Sequence, residues 1–153
     1  MTTRSNVPLT SALHSRVDVL GFCAAVRDHA ASSGLDTRRA GELALVVAEL
    51  GTNVVLHGGG GELAVTLSHA GWTVHATDAG PGFTAAVLED AGRSDHLGAH
   101  GVREPGDGGR SFGSGLAAVR RLSDSLTLHN EPRGARVTAQ RHLTSHARQG
   151  AVS

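Results

Sequence analysis

Between residues 36 and 78 the hydrophobic pattern changes period abruptly, and this change most constrains what the chain can become. Leu43, Val46, Val47, Leu50 and Val54 recur at helical spacing and make one apolar stripe. Asp36 or Thr37 stands ahead of them as a helix cap. The run Gly58-Gly59-Gly60-Gly61 stops the helix. Leu63, Val65 and Leu67 then alternate with other residues, Ala70-Gly71 turns the chain, and Trp72, Val74 and Ala76 alternate again up to Asp78. The pattern predicts one long helix followed by an antiparallel hairpin.

The flanking segments read less sharply. Val7-Pro8-Leu9 suits a short edge strand, where proline is tolerated. Residues 14–33 read as a helix with Val17, Leu20 and Ala24 on its apolar side, ended by Gly34 in a left-handed conformation. Glycines and Pro105 crowd residues 92–112, which lack apolar periodicity and predict a long functional or mobile loop. A helix is expected from Leu116 to Ser123, with Leu116, Val119 and Leu122 as its apolar positions. Strands are expected over 125–130 and 135–143, around a Glu131-Pro132-Arg133-Gly134 turn. Residues 1–6 and 144–153 read as a flexible start and a polar tail, leaving one domain over 7–143.

Composition narrows the function classes. Fourteen basic and fourteen acidic residues cancel, so no strong field for nucleic acid or anionic membrane is expected. Aromatic residues make up 3% of the chain, which leaves the core to Ala, Val and Leu. Cys23, the single cysteine, forms no internal disulfide and reads as a small core residue. No signal peptide or membrane span is read, so a cytoplasmic location is the expectation. Of the ten histidines, only His96/His100 and His142/His146 have helical i,i+4 spacing, and neither pair has the cysteine or glutamate of a zinc helix beside it.

Three short motifs carry the chemistry. Glu49 and Asn53 lie four apart on one helical face, away from the apolar stripe. An asparagine carbonyl is a hard ligand suited to Mg²⁺, and a glutamate one turn earlier can deprotonate an attacking hydroxyl. The same spacing also suits two solvated surface residues. Asp78 opens the turn Asp78-Ala79-Gly80-Pro81-Gly82-Phe83, where a carboxylate can accept from an exocyclic amine such as that of adenine. Gly80 and Gly82 would let a ring approach the backbone, although a plain Asp-Gly turn has the same letters. Gly113-Ser114-Gly115-Leu116 opens a helix whose free N–H groups can face phosphate, or else joins a linker to an ordinary helix.

Taken in order, these motifs resemble the boxes of the GHKL (Bergerat-fold) ATPases. Glu49 to Asn53 resembles the first box, Asp78 to Gly82 the Asp-x-Gly-x-Gly box, and Gly113 to Leu116 the glycine box after the ATP lid. The length, with Ala48-Glu49-Leu50-Gly51-Thr52-Asn53 and His57-Gly58-Gly59-Gly60-Gly61-Glu62-Leu63, is similar to the anti-sigma-factor serine/threonine kinases, above all to their RsbT-like switch-kinase branch. The resemblance implies an α/β two-layer sandwich: a mixed, mostly antiparallel sheet with helices on one face. It implies ATP and Mg²⁺ as ligands, with Asn53 at the metal and Asp78 at adenine. Gly80, Gly82, Gly113, Ser114, Gly115 and Leu116 would complete the ATP site. Glu49 would be the general base toward a serine or threonine hydroxyl on a STAS-domain antagonist protein. A sigma factor, a PP2C-type phosphatase and a second copy of the chain are the further partners implied.

The chain departs from this pattern in two places. Family members often carry threonine directly after the glycine that enters the last strand, whereas Ala135 follows Gly134 here. Thr77 and Thr138 are the hydroxyls that could replace it. Thr52 stands where the nearest branch often has arginine. These departures keep a second expectation open, an ATP-binding anti-sigma factor or phosphatase-activating module with little or no kinase activity.

Overall fold

The computed structural model describes residues 7–92 and 114–143. Its elements run β1 (Leu9–Leu13), α1 (Arg16–Ser32), α2 (Thr37–Leu56), β2 (Gly61–Ser68), β3 (Gly71–Asp78), α3 (Ala85–Gly92), α4 (Ser114–Leu122), β4 (Ser125–Glu131) and β5 (Gly134–His142). The five strands form one sheet in the order β1-β2-β3-β5-β4, and every neighbouring pair is antiparallel. The fold class is therefore the α/β sandwich expected. The flexible start, the tail and nearly all of the long glycine-rich segment lie outside the described residues.

Helix α2 is the spine of the molecule. Asp36 caps it, its Oδ1 accepting the Arg39 N–H at 2.8 Å. Leu43, Val46, Val47 and Leu50 are fully buried and Val54 nearly so, on the predicted stripe. They meet Leu63, Val65, Trp72, Val74 and Ala76 from the hairpin, all buried. Each such burial stabilises the fold by about 1.5–3 kcal/mol before entropy is counted.

Helix α1 corrects the sequence reading. Its buried residues are Val19, Phe22, Val26 and Ala30, whereas Val17 and Leu20 are 76% and 70% exposed. Both sets have helical spacing, so periodicity alone does not choose between them. Gly51 of α2 does: a Cβ there would sit 3.1 Å from Val19 Cγ1 and 3.2 Å from Leu13 Cδ1. The missing side chain leaves a seat that Val19 fills, and α1 rolls to place it there. Ser15 caps the helix in a reciprocal box with Asp18, whose Oδ2 also accepts the His14 N–H at 2.9 Å. Cys23 is half-buried beside the Ala44 carbonyl, and burial pushes its thiol pKa up, which suits an inert packing role.

Two boundaries also moved, and one helix was added. Pairing in β1 starts after Pro8, which has no N–H to offer, so the edge strand is 9–13 rather than 7–9. Helix α4 begins at Ser114, two residues earlier than expected. Helix α3 was not anticipated; Thr84 opens it, its Oγ1 accepting the Val87 N–H at 3.3 Å. Among the described residues, no helix is long and apolar enough to cross a membrane.

Candidate nucleotide-binding site

The end of the sheet nearest the C-terminus of α2 gathers the motif residues. Register places Gly61, Asp78, Ala135 and Asn130 side by side on four adjacent strands. Directly paired residues on antiparallel strands share a face. Asp78 follows Trp72, Val74 and Ala76 at period two, so this row lies on the helix-covered face. A carboxylate thus stands between a glycine and a buried alanine. A Cβ on Gly61 would run into the Thr77 carbonyl oxygen, so glycine lets β2 and β3 press together here.

This register settles the question of Ala135. It is the direct partner of Asp78, so the methyl group lies where a threonine hydroxyl would stand beside the carboxylate. Thr77 and Thr138 cannot stand in for it. Each alternates onto the opposite face of the sheet, where Thr138 Oγ1 lies 3.1 Å from His75 Nδ1.

The turn after Asp78 is held at several points. Asp78 Oδ1 accepts the Gly80 N–H at 2.9 Å. A Cβ on Gly80 would lie 2.7 Å from Gly58 Cα and 2.9 Å from the His57 carbonyl oxygen, so glycine lets the turn press on the end of α2. That same end of α2 is closed by the His57 and Gly58 N–H groups, which donate to the Asn53 carbonyl at 3.0 and 3.3 Å. The Asp78 turn therefore touches the residues that cap the Asn53 carbonyl. Gly82 has a positive φ of 79°. Beyond it, Asn130 Oδ1 accepts the Phe83 N–H at 2.8 Å and Asn130 Nδ2 donates to the Phe83 carbonyl at 2.9 Å.

The third motif meets the first. A Cβ on Gly115 would lie 2.5 Å from Glu49 Oε2, so the carboxylate rests against the first turn of α4. Glu49 and Asn53 are half-buried, on the side of α2 next to the buried stripe. Leu116 is 3% exposed, and its side chain belongs to the core; only its backbone can face a ligand. Gly113 lies outside the described residues, and Ser114 is placed only as the first residue of α4. Sequence reasoning missed Asn130. Its partner is 47 residues away, and no local pattern signals the pair.

A cavity of about 110 Å³ lies at the other end of the sheet, lined by Leu35, Arg39, Ser68, His69 and Leu143 among others. The hairpin between them is eight residues long on each side, so the two places are about 23 Å apart. None of the motif residues lines it. Among the described residues, no three His, Cys, Asp or Glu side chains group so as to hold a metal ion by themselves.

The sequence profile of the histidine kinase-like ATPase domain matches residues 13–141, from the end of β1 to the end of β5. The chain belongs to this family. Histidine kinase-like ATPase domains use nucleotide. A chain in the crystal structure of the SiaB–SiaC complex from Pseudomonas aeruginosa has the same fold, with a TM-score of 0.62 at 16% identity over 90% of this chain and 91% of that one. No curated protein matches the sequence significantly.

Proposed function

We propose that this histidine kinase-like ATPase domain is a Mg²⁺- and ATP-dependent protein serine/threonine kinase of a partner-switching pathway. The observation that carries the reading is the meeting of Glu49 with Gly115. It puts a carboxylate at the first turn of a helix whose N–H groups suit phosphate, one turn from Asn53. A pure nucleotide-binding module has less need of that carboxylate.

In this reading Asp78 accepts from the adenine amine, and Gly61 and Ala135 flank the ring. Asn53 supplies a hard oxygen to Mg²⁺, which takes few protein ligands beside phosphates and water. The metal, when bound, neutralises charge on the phosphates. Glu49 takes the proton of a serine or threonine hydroxyl as that oxygen bonds to the γ-phosphorus and the bond to the β-phosphate oxygen breaks, leaving ADP. The substrate class is a STAS-domain antagonist, with a sigma factor or a PP2C-type phosphatase as the other partners, in a cytoplasmic setting. That a similarly folded chain was crystallised in a two-protein complex supports a protein partner.

The test is transfer of labelled γ-phosphate to a candidate STAS protein in the presence of Mg²⁺. Transfer by the unaltered protein and its loss in Glu49→Ala are expected. Equal transfer by both removes Glu49 from the base role. A second reading, an ATP-binding anti-sigma factor or phosphatase activator without transfer, is favoured by Ala135 beside Asp78. Tight nucleotide binding with no transfer to any STAS partner would decide for it.

A further inference from the structure

The loop that carries Gly80 and Gly82 has to cross the sheet. It leaves β3 at Asp78, and the other end that a strand holds is Phe83, at Asn130 of β4. Between β3 and β4 lies β5. Two strand spacings make a gap of about 10 Å. Five peptide steps can reach about 17 Å when extended, so the loop has slack. Two of its residues are glycines, which hold no preferred conformation of their own. The Gly80 contacts hold its first half, and Phe83, which also sits in an isolated β-bridge, ends its second.

We infer that Asn130 is a positioning residue of the nucleotide site: its carboxamide fastens the Phe83 backbone and so orients the far half of the Asp78–Gly82 turn. The inference rests on the nucleotide reading above and adds a residue to it. Both hydrogen-bonding groups of the Asn130 side chain are used on one peptide residue, at 2.8 and 2.9 Å, so the amide fixes orientation as well as distance. The Phe83 ring is also buried, but a ring in a core can turn about its own bonds without fixing its peptide. Gly82 carries the imprint of the clamp. A Cβ there would lie 2.7 Å from Asn130 Oδ1, so the loop and the amide are packed together. Asn130 is paired with Ala135, which is paired with Asp78. One transverse row therefore holds the carboxylate, its small neighbour and the clamp, and a shift of the clamp is passed directly to the turn.

The experiment measures Mg-ADP affinity by calorimetry in the unaltered protein, Asn130→Ala, Asn130→Asp and Leu126→Ala. The aspartate keeps the acceptor for the Phe83 N–H but sets a second carboxylate oxygen against the Phe83 carbonyl. Leu126 packs against the core from the same strand and controls for a general loosening of β4. Hydrogen exchange at the Phe83 amide reports the clamp directly. Asn130→Ala loses two ordinary hydrogen bonds and Asn130→Asp loses one and gains a repulsion, so both are expected to raise the Kd about tenfold, and Asn130→Ala to expose the Phe83 amide. Leu126→Ala is expected to lower the melting temperature and leave the Kd within about twofold. Unaltered affinity in the Asn130 variants, or equal weakening in Leu126→Ala, overturns the assignment alone. Absence of Mg-ADP binding by the unaltered protein overturns the nucleotide reading and the assignment with it.

Discussion

Replacing Gly115 with alanine tests whether Glu49 really rests on α4. The added Cβ would stand 2.5 Å from Glu49 Oε2 and 3.6 Å from its Cδ. Carbon–oxygen contacts settle near about 3.3–3.6 Å, so the carboxylate must retreat by about 1 Å. Pushing the side chain off its rotamer costs about 0.5–1.5 kcal/mol. Alanine in place of glycine within a helix stabilises by about 0.5–1 kcal/mol. The two effects nearly cancel, and Gly115→Ala alone is expected to change stability by less than about 1 kcal/mol. In a Glu49→Ala background the obstacle is gone and only the helical gain remains. The coupling between the sites is then about 0.5–1.5 kcal/mol. For a chain of this size that is about 1–6 °C in melting temperature. Calorimetric melts of the four proteins in the cycle measure it without any knowledge of the substrate. The same shift from Gly115→Ala in both backgrounds would refute the contact and with it the observation on which the proposed base role of Glu49 rests. Where phosphate transfer is measurable, a displacement of 1 Å is expected to cost about 100-fold in rate.

Two further outcomes follow from the geometry. Ala135→Thr places a hydroxyl beside Asp78 and is expected to tighten Mg-ADP binding about three- to tenfold in a calorimetric titration, whereas Thr138→Ala, on the other face, should leave it unchanged. Asp18 gives a pH signature. Its carboxyl is held below the ordinary value of 3.8, first by the His14 N–H; desolvation opposes this, and the Ser15 N–H, the Ser15 hydroxyl and the charge of His14 add to the lowering. A lowered folded-state pKa means stability present above 3.8 and lost as pH falls through the folded value. The margin in melting temperature of the unaltered protein over Asp18→Asn should therefore narrow below that pH; a margin constant from pH 6 to 2.5 would refute the capping contribution.

Local signals in the chain were read where one face of one element told the whole story. The stripe of α2 has a single apolar side, and the hairpin after it has a strict period of two, so both appear where expected. The motif residues Glu49, Asn53 and Asp78 were visible as residue types. Helix α1 was not decided locally, because Val17/Leu20 and Val19/Phe22/Val26 are both helical stripes. Helix α3 is eight residues long and lies beyond a turn, too short for its period to stand out.

What the sequence by itself determined was the inventory: a capped apolar helix, a glycine stop, an alternating hairpin, and a carboxylate, a carboxamide and an aspartate at their ends. These follow from backbone preferences and periods that act within a few residues. Tertiary structure decided the partnerships. Gly51 selected the buried face of α1, the β3–β5 register set Ala135 rather than a threonine beside Asp78, Gly115 received Glu49, and Asn130 caught Phe83 across 47 residues. Each of these is a contact between side chains and backbones far apart in the chain. Its energy depends on tenths of an ångström of packing, which no spacing along a sequence encodes.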